Sequence, residues 1–491
     1  MRHSPEVLDY EGVFPSKRSR AGESESPDNA VFKDSAFERP SADAAKSVVK
    51  AIDGPPSFME VEAGKWLARK GHGLTFICLF IFSIVLYFRP YELIPALSKF
   101  KTMAFYVGIV TLAVYIVSQI TLEGNLTSRP REVNMVLLLG VAGLLSIPLA
   151  IDRSEAWGAF TDLLIKTILI FIVLVNVVRT ELRLKMLFLL VLVVSIYLSV
   201  KLIDDYRAGV FLIGEAETNT QRVAGAIKGL FENSNDLALH LVTIIPISIA
   251  LGLEGRNHLR KIIFFGIALL MVAAVIITFS RGGFLGLIAM TLVLARKLSR
   301  RNKTAAFASL VLGIIFFIVV APGAYAGRLA TIFNSASDIT GSSSQRTEVL
   351  KRSIRVALRY PIFGVGLANF HHKSEQELGT HNAYTQVAAE TGIAAMVCYI
   401  IFLVHPIRKL RMIERELFER EEYSRFYYLA IGLQASLVGY MVASFFAAVA
   451  YQWYVYYLVA YAIALRRIYY LEEAQKAQAP NKGPQTTSVL I

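Results

Sequence analysis

The chain reads as all-α: a polytopic transmembrane helical bundle of about twelve spans, with a large outer loop containing short helices. Two observations carry this reading. Hydrophobic residues make up 55% of the 491 residues and charged residues only 18%, with a mean hydropathy of +0.50, which is wrong for a soluble chain of this length. The apolar residues also gather into runs near 74–88, 103–120, 133–151, 160–178, 184–203, 236–253, 261–279, 282–296, 304–321, 383–404, 426–448 and 452–467. Most approach the roughly 20 residues that cross a bilayer, and the first and eighth are short. Lipid offers no water to backbone groups, so such runs close their hydrogen bonds within helices. Strands of a β-barrel would instead show about ten alternating residues each.

Residues 1–70 differ from the rest. Ser, Glu, Asp, Pro and Lys dominate, as in "RAGESESPDN", without helical periodicity, and predict a disordered tail. The start lacks the apolar core and small-residue cleavage site of a signal peptide. Cys78 and Cys398 fall inside apolar runs and predict neither a disulfide nor a metal site.

Orientation follows from Lys and Arg between the runs. With the tail in the cytoplasm, "SRPRE", "RTELRLK", "GRNHLRK", "RKLSRRNK", "PIRKLRMIERELFER" and "RRIYY" are inside connections. They and the C-terminus hold about 23 basic residues, against about 8 in the short outside connections. Both termini are therefore expected in the cytoplasm. This asymmetry accounts for most of the +13 net charge, so no nucleic-acid partner is needed. The expected organisation is a cytoplasmic tail over 1–70, a transmembrane domain over 71–470 and a cytoplasmic tail over 471–491.

The same parity puts 204–235, the gap around Arg281, and 322–382 outside. The last is the longest connection, and loops of that length are usually functional. Its "SQRTEVLKRSIRVALRYP" sets Val349, Ile354, Val356 and Leu358 among five basic residues, Arg346 the first of them. An amphipathic helix at the outer surface is expected, stopped by Pro361. Gly364 and Gly366 in "PIFGVGLANF" are spaced for a tight turn. Basic residues outside run against the usual bias and invite an anionic partner, either lipid headgroups or a phosphate or pyrophosphate. Elsewhere, "HPIRKLRMIERELFEREEYSR" reads as a solvated or interfacial helix and "YQWYVYYLVAY" as an interfacial aromatic belt. Asp162 and Lys166, four apart, are expected to pair.

The run "VIITFSRGGFLGLIAM" poses the functional question, because it breaks for only Ser280-Arg281-Gly282-Gly283. A charge at the bilayer centre costs about 2.5–3.5 kcal/mol on insertion scales, so Arg281 sits at a surface or serves a task. "QRVAGAIKGLFENSNDLALH" places Arg222 in an outside loop before a span, and "GTHNAYTQVAAETG" places His381 where the long loop re-enters the membrane. This constellation resembles the O-antigen ligase and O-antigen polymerase superfamily of membrane glycan transferases, over roughly residues 74–470. The family's Arg-x-x-Gly element falls on Arg222 and Gly225, its Ser-Arg-Gly element on Ser280, Arg281 and Gly282, and its His-Asn element on His381 and Asn382. Pro361, Gly364, Gly366 and Phe370, and the pair Glu390 and Gly392, resemble its flanking pattern. One departure is Asn233-Ser234-Asn235, where members often carry Pro-Asn.

The resemblance implies a bacterial inner-membrane enzyme that moves glycan from a polyprenyl pyrophosphate-linked donor to a glycan or lipid acceptor at the periplasmic face. Membrane lipids are further partners, and a polymerase would imply a chain-length regulator. The chemistry fits these residues on its own terms. Arg281 and Arg222 suit a pyrophosphate leaving group without a metal, and His381 suits a general base near neutrality. Substrate contacts are assigned to Arg346, Asn382, Glu390, Gly364 and Gly366. No cofactor is expected and no metal, since His371, His372 and His381 lack ordinary ligand spacing. Two rival classes are weighed. A polysaccharide flippase or transporter would show related halves, and no convincing repeat is found. A metal-dependent dolichol-type glycosyltransferase would want paired acids in the outer loops, where Glu92, Asp152 and Glu155 form no clear motif.

Overall fold

The computed structural model describes residues 71–93, 99–100, 102–210, 231, 233–255, 257–301, 303–321, 342–374 and 379–478. The tail reading of 1–70, Arg222, Gly225 and the segment 322–341 lie outside these residues. Gly71–Arg466 forms one compact unit, and the second unit contributes, among the described residues, only the end of the last helix.

All regular elements among the described residues are helical. In chain order they are α1 (Gly73–Phe88), α2 (Met103–Glu123), α3 (Arg131–Ser146), α4 (Arg153–Val177, with a π turn at Phe160–Leu164), α5 (Glu181–Arg207), α6 (Ser234–Glu254), α7 (His258–Ile277), α8 (Arg281–Leu298), α9 (Lys303–Val320), α10 (Ser342–Arg359), α11 (Ala383–Thr391), α12 (Ile393–Glu419), α13 (Arg425–Ala443) and α14 (Trp453–Gln478). Nine are long and apolar enough to span a membrane: α1 to α7, α12 and α13. The polytopic all-α class is thus observed. The helices α8, α9 and α14 occupy the three remaining predicted runs. Cations at both ends of α8 and the tyrosines of α14 lower the apolar character of those two.

At the centre, α6 packs against α7 and α13, and α13 against α8 and α12. The α6 window is 83% buried, as expected of a helix apolar on all sides. Small residues set the closest approaches. A Cβ on Gly286 would lie 2.9 Å from Ala443 Cβ and 3.0 Å from the Gly439 carbonyl, so α8 and α13 meet nearly backbone to backbone.

Three sequence expectations change here. The tenth run does not start a span at 383, because Gly392, at φ +97°, separates α11 from α12. The loop segment therefore ends in a short helix before the span begins at Ile393. The charged stretch after His405 is a helix with an exposed face of Arg408, Arg411 and Arg415, but not a separate one. It continues α12 and buries Lys409, Ile413 and Glu414, the last carrying Lys297 and bonded by Gln434 Nε2 at 3.2 Å. The tyrosines of "YQWYVYYLVAY" form no surface belt. Tyr454, Tyr456, Tyr457 and Tyr461 are buried, with Tyr87 edge-on to Trp453 at 4.4 Å and Ser83 bonded to Tyr457 at 2.9 Å. Their rings fill the core, with the Tyr456 hydroxyl donating to the Ala450 carbonyl at 3.3 Å, while the Tyr454 and Tyr461 hydroxyls have no hydrogen-bond partner among the described residues.

Other expectations hold. The amphipathic helix exists as α10, ending at Arg359 before Pro361. It buries Val349 and Val356 against Val365, Phe370 and Ala389, while Ile354 and Leu358 remain exposed. Lys166 donates to Asp162 at 2.8 Å on an exposed face, where such a pair contributes little. Both cysteines are free. Helix α14 runs on to Gln478, past residue 471, where the C-terminal tail is expected to start.

Candidate active site

The site is built from the start of α8, the start of α10, and the strained turn into α11. Ser280 caps α8, its Oγ accepting from Gly283 N at 3.1 Å, which places Arg281 at the first helical position. Two close contacts hold that end in place: a Cβ on Gly282 would come within 2.9 Å of Phe446 Cβ, and one on Gly283 within 2.6 Å of Ala238 Cβ. A cation at a helix N-terminus opposes the dipole. Its retention there, beside outward-pointing backbone N–H groups, makes the locality strongly attractive to an anion.

Asn382 caps α11. Its Oδ1 accepts from Tyr384 N and Thr385 N, both at 2.9 Å, whereas its buried Nδ2 has no hydrogen-bond partner among the described residues. His381, just before it, adopts φ +50°, and Phe279, two residues before Arg281, adopts φ +52°. Left-handed backbone at a non-glycine residue costs about 1–3 kcal/mol and collects where function requires it. Of the two, His381 itself lines a cavity, and Phe279 precedes Arg281, which lines the same one.

That cavity, about 160 Å³, is lined by the polar Arg281, Arg346, Thr347, Thr380, His381 and Asn382 and the apolar Leu285, Leu350, Phe445 and Phe446. Four of the eight predicted site residues therefore converge: Arg281, Arg346, His381 and Asn382. Burial pushes the His381 imidazole below its ordinary 6.5, and the Arg346 charge acts in the same direction. His381 is thus neutral near pH 7, the state that accepts a proton.

Glu390, Gly364 and Gly366 do not line the cavity. The two glycines, at φ +66° and +100°, lay the 361–366 turn directly on α11: Val365 N bonds Ala389 O at 2.9 Å and Gly366 N bonds Glu390 O at 3.0 Å. A Cβ on Gly364 would sit 2.3 Å from the Glu390 carbonyl carbon. These residues position α11, and with it the His381-Asn382 turn. Glu390 is buried, its Oε2 unpartnered among the described residues, and burial pushes its carboxyl up to about 8.

A pH effect on stability follows. The folded state favours the neutral Glu390 carboxyl, so it binds more protons than the unfolded chain between about 4.5 and about 8, and stability falls as pH rises through that window. The thermal midpoint of detergent-solubilised protein should drop across it, and Glu390→Gln should flatten the drop. Equal slopes for the two proteins would refute the assignment.

Sequence reading missed one grouping. His371 and His372, unpromising for metal by spacing, meet Glu155 from the start of α4. The two segments lie more than 200 residues apart, and no spacing rule reaches that far.

Residues 266–400 match the family model for O-antigen ligase. That segment is similar to the O-antigen ligase family. It holds Arg281, Arg346, His381 and Asn382, leaves Arg222 outside its bounds, and reaches every cavity residue but Phe445 and Phe446. No curated protein matches the chain. The match to the O-antigen ligase family and the nine apolar helices among the described residues point to a multi-pass membrane protein, and the match to a glycan-transferring enzyme in general.

Proposed function

We propose that the protein transfers a glycan from a polyprenyl pyrophosphate carrier, undecaprenyl in bacteria, to a hydroxyl of a glycan or lipid acceptor at the periplasmic face of the inner membrane. The observation that carries this reading is the convergence of Arg281, Arg346, His381 and the Asn382 amide on one cavity. The cavity is smaller than the roughly 300 Å³ at which small-molecule pockets begin, so it suits the compact pyrophosphate end of a donor. Its apolar lining residues suit the adjoining lipid.

In the reaction, the acceptor oxygen attacks the anomeric carbon and the bond from that carbon to the pyrophosphate oxygen breaks. The leaving pyrophosphate takes the electron pair and the growing charge. Arg281 and Arg346 meet that charge with planar donors, and Arg222 is the further clamp. His381 takes the acceptor proton. The basic-residue asymmetry supports a cytoplasmic location for both termini: a reporter after residue 370 is expected outside and one after 415 inside.

The test uses purified protein in lipid with a carrier-linked glycan donor and a panel of glycan and lipid acceptors. Expected is a glycosylated acceptor together with one free polyprenyl pyrophosphate per transfer. Failure to release carrier with any acceptor, from protein that binds donor, would sink the reading.

A further inference from the structure

We propose that Glu155, His371 and His372 form a binding site for a divalent transition-metal cation of the zinc class, apart from the transfer cavity. The ligating atoms of the three side chains all lie within 4.8 Å of one another. His372 Nε2 is 3.0 Å and His371 Nε2 3.6 Å from Glu155 Oε2. Two ligands each about 2.0–2.1 Å from a tetrahedral zinc are about 3.3 Å apart, between those two distances.

The hydrogen-bond pattern points the same way. His371 Nδ1 is 2.8 Å from the Ala368 carbonyl. A carbonyl only accepts, so Nδ1 carries the proton, and the neutral form of the ring has its lone pair at Nε2. In that form Nε2 and the Glu155 carboxylate, 3.6 Å apart, both have lone pairs to offer one metal cation, which would replace the hydrogen bond between His372 Nε2 and Glu155 Oε2. A metal-bound histidine commonly gives its other N–H to a backbone carbonyl in this way. Ala368 adopts φ +60°, so the carbonyl is held in place by strained backbone.

The scaffold is joined across the chain. Ile151 N bonds Val365 O at 3.2 Å, and Asp152 N bonds Asn369 Oδ1 at 2.6 Å. The Asp152 carboxylate accepts from Glu155 N at 3.0 Å, which sets the start of α4. Gly366 leaves no room for a Cβ beside Ala150, where one would lie 2.4 Å away. Two imidazoles and a carboxylate select borderline cations such as Zn²⁺ or Co²⁺ over Mg²⁺ or Ca²⁺, and three protein ligands leave one position open. None of the three residues lines the cavity of Arg281 and His381. The ion would clamp the 369–373 turn to the start of α4.

The experiment takes the full chain, purified without a metal column and stripped with chelator, and titrates it with Co²⁺ alone. Expected is one equivalent bound at micromolar concentration, with the intense visible bands of tetrahedral cobalt, displaced by Zn²⁺. His372→Ala and Glu155→Gln should each weaken binding at least about tenfold, while His258→Ala leaves it unchanged. Metal-free melting of each variant at the wild-type temperature establishes that the loss is local. Wild-type affinity in either site variant, or no saturable binding below about 1 mM, a range far weaker than protein zinc sites reach, overturns the proposal.

Discussion

Replacing Arg281 with lysine should lower the transfer rate about 100-fold or more while leaving donor binding within several-fold of wild type. The argument rests on geometry rather than charge alone. Arg281 opens α8, beside helix N–H groups, on a cavity shared with Arg346. A planar guanidinium can hold two pyrophosphate oxygens at once, and that grip tightens as the leaving group gains charge. An ammonium keeps the charge but loses the fork. Arg281→Ala should lose more. Arg296→Lys, exposed at the other end of the same helix, should behave as wild type. A full rate from Arg281→Lys, at normal protein levels, would return Arg281 to the residues that merely rest at a membrane surface.

Removing His381 separates binding from chemistry. His381→Ala should insert, fold and bind donor through its arginines, yet turn over about 100- to 10,000-fold more slowly, the usual contribution of a general base. The pH dependence sharpens the assignment. Because burial and the Arg346 charge lower the His381 pKa, the rising limb of the wild-type rate should lie below 6.5, with a plateau at neutral pH. The sign is that of a base active when unprotonated: activity falls as pH drops through the folded value. His381→Ala should lose this limb, and Arg346→Ala should move it upward by removing a nearby positive charge. An unchanged limb in His381→Ala would assign the titration to another group, and near-wild-type turnover would remove His381 from the mechanism.

The amino-acid sequence alone determined the class and the positions of most helices, because hydropathy is a local property and a chain in lipid closes its own backbone hydrogen bonds. It also singled out Arg281 and His381, since each is a polar break beside an apolar run. The tertiary structure decided what local pattern does not encode. The tyrosines of α14 read equally well as a surface belt or a core, and only the neighbouring helices make them a core. Gly392 sits in an otherwise continuous run, and its left-handed turn, with the Pro361 carbonyl accepting from Ile393 N at 2.8 Å, splits α11 from α12. Gly364 and Gly366 carry no sign of whether they touch substrate or another part of the chain, and the clash a Cβ would meet sets Gly364 against α11 and Gly366 against Ala150. Asn382 reads as a ligand residue, and the fold gives its oxygen to a helix cap while its buried nitrogen has no partner among the described residues. The meeting of Glu155 with His371 and His372 depends on two turns packed together across 217 positions of sequence. Periodicity and spacing extend over a few helical turns, whereas such a meeting is set by how whole helices pack, which is why only the folded chain reveals it.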